Sequence, residues 1–347
     1  MELTSMAMTE TQLKDRIKAG DCPLYVLYGA ESYLTEQYAR KIADATVEPG
    51  MDAFNLQKFD GQTVTLSQLE EAVEALPLMA ERKCVLVRDM DATGAEADRL
   101  LELISRLPDS CVLVFWQMTV QPDKRKKAWQ NFLDQAEAVG VVVNFEKKTP
   151  TDAAKMLVSG AKRRGCQLDP RDALYLVEQA GNDLNLLLHE LDKLCALATD
   201  GAITRQSIDA AATKNLETRV FDLSKAILRR DAATAYALLH QLAVAREEPV
   251  AILGVLSSAY ADLYRAKVAA TAGQPADSLA ADFKVYKGKE FRLRNAARDA
   301  SRMSVAMLRD CLDILAKADT ALKLSHSGDR TVLEQTVTQL IRRAGEG

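Results

Sequence analysis

Three stretches of this chain, CVLVR (84–88), CVLVFW (111–116) and VVVNF (141–145), are apolar on consecutive residues rather than on alternate ones. A strand with one wet face alternates. A continuous run buries both faces, which requires a sheet with helices packed on either side. They fall in the strand candidates Lys83–Arg88, Cys111–Trp116 and Val141–Phe145, which with Leu24–Tyr28 and Phe54–Phe59 make five before about Glu146. Helix candidates separate them: Tyr33–Val47, Ser67–Ala75, Ala95–Leu107 and Arg125–Ala138. This alternation predicts an α/β domain built on a mostly parallel sheet.

The first strand–turn–helix junction, PLYVLYGAES (23–32), is informative for what it lacks. Gly29 turns the chain, and Ser32 is placed to cap the following helix. In a P-loop protein this junction carries GxxxxGK[ST], whose amides and lysine cradle phosphates and whose hydroxyl holds magnesium. Here the turn reads GAESYLTEQ, with no second glycine and no lysine, and Glu31 stands where an anion would sit. A carboxylate at that point repels phosphate. The expectation is a nucleotide-motor framework that takes no ATP.

KKTPTD (147–152) ends the pattern, and strands largely cease after it. Thr151 is a candidate cap for a helix ending at Gly165. Asp169-Pro170 opens the next helix, with proline at the tolerated first position, and Gly181 closes it. Leucines 184, 187, 188, 191 and 194 form an apolar stripe at helical spacing, and Thr204 caps Arg205–Ala212. Further helices are expected at Phe221–Arg229, Ala232–Arg246, Val250–Ala270, Glu290–Arg302, Val305–Lys323 and Thr331–Arg343. The predicted organisation is an α/β domain over 1–148, a small all-α domain over 149–214 and an all-α domain over 215–347.

At 347 residues the chain is long enough for several domains and a substantial core. No apolar run reaches the roughly 18 residues of a membrane span, and the polar N-terminus does not read as a signal peptide, so a cytoplasmic protein is expected. The six cysteines form no CxxC pair and the three histidines no HExxH, so neither a metal nor a disulfide framework is expected. A net charge of −4 argues against a chain that coats nucleic acid over its whole surface, but leaves room for a local basic patch.

Candidate chemistry is sparse. Asp89 and Asp91 follow a strand, as a Walker B aspartate would, but without a P-loop lysine they read as solvated loop residues. Ser105-Arg106 lacks the adjacent cysteine of an arginine-finger motif, and no GxSxG, kinase or GxGxxG signature is present. The segment LPLMAERK (76–83) is more telling: Pro77 ends a helix and leaves Leu78 and Met79 on a turn. The pair either plugs the sheet's core or forms a hydrophobic knob for a partner's pocket. From Asp282 to Arg302, seven basic residues outnumber three acidic ones, with Tyr286 and Phe291 interleaved. That is either a solvated helix face or a nucleic-acid contact. The KRKK run at 124–127 reads as a solvated helix start.

Three segments, PLYVLYGAESYL, LPLMAERKCVLVRD and CQLDPRDALYLVEQAGNDLNLLLHELDKL, make the chain similar to the delta subunit of the bacterial DNA polymerase III clamp loader. The resemblance implies an AAA+-like module without a working ATP site, then a helical lid and a helical collar. It also implies a non-catalytic subunit of the polymerase holoenzyme that binds and opens the beta sliding clamp. In the family an apolar pair before the third strand enters the clamp's pocket, and here that pair is Leu78-Met79. The collar would join the gamma/tau ATPase subunits, which bind the ATP, and the delta-prime subunit. Primed DNA would be met in the assembled complex. Tyr286 matches a collar aromatic near the template strand, with Lys284, Lys287, Lys289 and Arg292 around it. The alternative is an active AAA+ ATPase of the same or a related machine, from which the missing GK[ST] distinguishes it.

Overall fold

The computed structural model describes residues 8–286, 290–324 and 329–345, and the side chain of Phe291 is not among them. Two compact units result, one running to Ala153 and including Asn182–Asn185, the other Ala154–Gly181 with Leu186 onward.

The first unit holds α1 (Glu10–Ala19), β1 (Leu24–Tyr28), α2 (Ser32–Thr46), α3 (Asp52–Asn55), β2 (Leu56–Asp60), α4 (Leu66–Glu74), β3 (Lys83–Arg88), α5 (Ala97–Ser105), β4 (Cys111–Trp116), α6 (Lys127–Val139) and β5 (Val141–Asn144). All five strands are parallel, in the order β2-β3-β4-β1-β5. Continuous apolarity marks three interior strands: every residue of β1 is buried, as are all but the last of β3 and β4, whereas β5, also expected to be covered on both faces, lies at the sheet edge with mixed burial. Leu24, Val26, Val85, Val87, Leu113 and Phe115 face α4, α5 and α6, where Phe115 and Trp129 both meet the Phe132 ring edge-on. On the other face lies α2, whose Tyr38 stacks on Phe145 at 5.3 Å between ring centroids. Helix α1 has a capping box between Thr9 and Gln12, a start signal that the sequence reading passed over.

Two local expectations are corrected here. Glu31, not Ser32, occupies the cap position of α2, and it makes no side-chain capping bond. The run expected as strand from Phe54 begins with a helical turn, α3, and pairing starts only at Leu56.

Helix α7 (Pro150–Arg163) leads into the second unit, with β6 (Gln167–Leu168), α8 (Pro170–Ala180), α9 (Leu184–Leu197), β7 (Ala202–Ile203) and α10 (Arg205–Ala211). Thr149 rather than Thr151 caps α7, its hydroxyl accepting from the Asp152 amide at 3.1 Å. Asp169 caps α8 ahead of Pro170 as expected. The expected all-α character is broken by one short parallel pairing of β6 with β7. The remaining helices are α11 (Leu216–Leu228), α12 (Ala232–Val244), α13 (Pro249–Thr271), α14 (Leu279–Asp282), α15 (Glu290–Asp299), α16 (Val305–Leu324) and α17 (Asp329–Gly345). Apart from α14 these helices share one apolar core around Tyr260, Leu256, Leu308 and Leu340. A parallel α/β sheet followed by helices is the fold class that the sequence pattern implied.

Candidate functional site

Helix α4 stops at Glu74, and the residues from 75 to 82 cross the surface to β3. Both flanks of this crossing are pinned. The buried ammonium of Lys83 reaches back to the Ala72 carbonyl near the end of α4, satisfying a helix-end acceptor, and Arg82 donates to the Gly20 carbonyl. Between these anchors Leu76, Leu78 and Met79 are 85%, 46% and 88% exposed. The sequence left the pair open between core and knob; its exposure excludes a core role for Met79 and for half of Leu78. Met79 also takes a left-handed backbone conformation, φ 50°, which costs a non-glycine residue roughly 1 kcal/mol or more. Three apolar side chains on a held turn are suited to entering a hydrophobic pocket.

Asn55 is a residue that sequence reasoning missed. It is buried at the end of α3, and its amide bonds to both sides of Leu78: the Leu78 N–H donates to Oδ1 at 2.8 Å and Nδ2 donates to the Leu78 carbonyl at 2.9 Å. A polar residue that favours turns, inside the strand candidate Phe54–Phe59, was the available signal.

At the β1–α2 junction, Gly29 is required: with φ 127°, a Cβ there would come within 2.4 Å of the Phe145 carbonyl oxygen. Glu31 is buried in the turn. Its N–H donates to the Phe145 carbonyl at 2.9 Å, its carboxylate accepts from the Lys148 amide at 3.4 Å, and Lys147 Nζ lies 3.8 Å away. The protein's own carboxylate thus sits at this turn beside one amide and one cation.

Asp89, expected as a solvated loop residue, is instead buried. Its Oδ1 accepts from the amides of Met118, Thr119 and Val120 at 2.7, 2.7 and 3.1 Å. Burial pushes this carboxyl's pKa up, but the three amide bonds outweigh it and hold the group below the usual aspartate range. Its contribution to stability is therefore full above the unfolded value of about 3.9 and is lost as pH falls through the lower folded value. Replacing Asp89 with Asn is expected to cost roughly 2–3 kcal/mol at neutral pH. Urea unfolding of both proteins at pH 7 and near pH 3 checks this, because the difference should shrink in acid. Asp91, by contrast, is spent locally on the Thr93 amide and hydroxyl.

The basic segment is rearranged relative to expectation. Tyr286 is only 1% exposed, so its ring cannot stack on a base as the sequence reading suggested. Its hydroxyl donates to Asp262 Oδ1 at 2.6 Å and accepts from Arg265 Nη1 at 2.7 Å. Burial, then the bond to Asp262, raises the phenol's pKa. Arg292 is also turned inward, giving Nε and Nη2 to Asp262 Oδ2 at 3.1 and 2.7 Å. Lys284 is exposed, while Lys287 and Lys289 lie outside the described residues. Among the described residues no cluster of three or more His, Cys, Asp or Glu could hold a metal, and no helix is long and apolar enough to cross a membrane.

The model of the "DNA polymerase III, delta subunit" family matches residues 25–145, and that of "DNA polymerase III delta subunit, C-terminal domain" matches 217–340, together more than half of the chain. The DNA polymerase III subunit delta of Bacillus subtilis is 25% identical, with 94% of this chain and 95% of that protein covered. Its Escherichia coli namesake is 22% identical, with 90% and 89% covered. Among solved structures, the Bacillus subtilis DNA clamp loader delta protein shares the fold, with a TM-score of 0.56 at 24% identity over 96% of this chain and 99% of that one. The chain belongs to the family of DNA polymerase III delta subunits.

Proposed function

We propose that this subunit binds the beta sliding clamp through Leu78 and Met79 and favours its open form for loading onto primed DNA. The observation that carries the reading is a pair of exposed apolar side chains on a turn fixed at both flanks. A ligand shifts a closed–open equilibrium only by its differential affinity for the two states, so the subunit must grip the open clamp more tightly. The helices from α11 onward are proposed to form the collar that joins the gamma/tau and delta-prime subunits, in the bacterial cytoplasm. Size-exclusion chromatography of this chain with its cognate clamp tests the reading, co-elution being the expected result.

The subunit is further proposed to have no activity of its own and to bind no cofactor, ATP being taken by its partner subunits. Support comes from Glu31, whose buried carboxylate occupies the turn at which a P-loop would hold phosphate. A fluorescent ATP analogue should accordingly show no saturable binding to the isolated chain at low-micromolar concentrations. Saturable binding there would favour an ATPase instead.

A further inference from the structure

We propose that Asn55 is a positioning residue for the clamp contact: by bonding both the N–H and the C=O of Leu78, its buried amide pre-forms the Leu78–Met79 knob. The inference rests on the reading of that pair as the clamp-binding element. The two bonds, 2.8 and 2.9 Å, imitate one rung of a sheet ladder on a stretch of chain that belongs to no strand. They cross 23 residues of sequence, from the end of α3 to the turn after α4, so the elements on either side of β2 are fastened at one point. Asn is suited to the task because a single side chain offers a donor and an acceptor in the spacing of a backbone amide.

The fastened residue immediately precedes Met79, whose backbone is left-handed. A free turn would relax out of that conformation and swing the thioether away, and ordering it again would be charged against binding. Asn55 itself makes no claim on the partner, since it is buried beneath the turn rather than displayed on it. Its effect on the clamp must therefore pass through Leu78 and Met79.

Two measurements on the full chain test this. In the unmodified protein, hydrogen exchange should show the Leu78 amide protected, and Asn55→Ala should speed its exchange by about tenfold, the opening of one hydrogen bond. Affinity for the cognate sliding clamp should fall about 5- to 30-fold in Asn55→Ala, the range for two modest hydrogen bonds. The same substitution in a Leu78→Ala/Met79→Ala background should cost nothing further, because the knob it positions is gone. A fast-exchanging Leu78 amide in the unmodified protein overturns the inference whatever the variant does. So does an Asn55→Ala protein that binds the clamp normally, or one that loses as much affinity without the knob as with it. If Leu78→Ala/Met79→Ala binds the clamp as well as the unmodified chain, the clamp reading of the knob fails, while slow Leu78 exchange would still show the fastening.

Discussion

Replacing Leu78 and Met79 together with alanine is expected to weaken binding to the sliding clamp by about 30- to 1,000-fold, or roughly 2–4 kcal/mol. The size follows from burial: an apolar side chain of this volume contributes about 1.5–3 kcal/mol when it passes from water into a fitted pocket. Met79 begins 88% exposed and Leu78 46%, so nearly all of that transfer for Met79 and about half of it for Leu78 remains to be made on binding. For the same reason the melting temperature should fall only modestly, through the half of Leu78 that is already buried. A truncated core leucine or methionine costs about 2–5 kcal/mol of folding stability, and neither residue belongs to the apolar cores. Isothermal titration with the cognate clamp and a thermal melt of each protein give the two numbers. A double variant that melts much earlier would return the pair to a structural role. One that stays folded and binds normally would remove it from the interface.

Legibility of this fold tracked the strength of each local signal. Strands β1, β3 and β4 could be bounded from sequence because consecutive apolar residues have no stable place except a sheet covered on both faces. Asp169-Pro170 and Thr204 announced their helices because capping is a short-range interaction between residues two or three apart. The misreadings have the opposite character. Asp89 looked solvated because the amides that bury it come from Met118, Thr119 and Val120, about thirty residues later. Asn55 looked like part of a strand because its partner is Leu78. Tyr286 looked like a stacking platform because basic neighbours surround it in sequence, yet the acidic partner that draws it inward lies on α13. At the candidate site, the apolar pair was visible from its order after Pro77, but its exposure and its fastening were not.

The buried carboxylate on α13 leads to the other large expected effect. Asp262 holds the Tyr286 hydroxyl on one oxygen and the Arg292 guanidinium on the other, and Arg292 and Asp262 side chains are only 18% and 7% exposed. Asp262→Ala would leave a largely desolvated cation and a buried phenol without their acceptor, which is expected to cost roughly 3–5 kcal/mol. Chemical denaturation read by far-UV circular dichroism measures that loss. Tyr286→Phe then separates anchoring from stacking, because it keeps the ring and removes only the hydroxyl. If Tyr286 anchors the segment before α15, the Phe variant should lose about 1–2 kcal/mol, the value of a hydrogen bond to a charged group. Its affinity for primed DNA within the assembled loader should change little. If the ring instead stacks on a base, Phe should match Tyr in both stability and DNA binding. Tyr286→Ala should then weaken DNA binding by about 1–3 kcal/mol in a protein of unchanged stability. That second pattern would require the ring to leave the pocket formed by Asp262 and Arg265, and it would overturn the structural role assigned to it here.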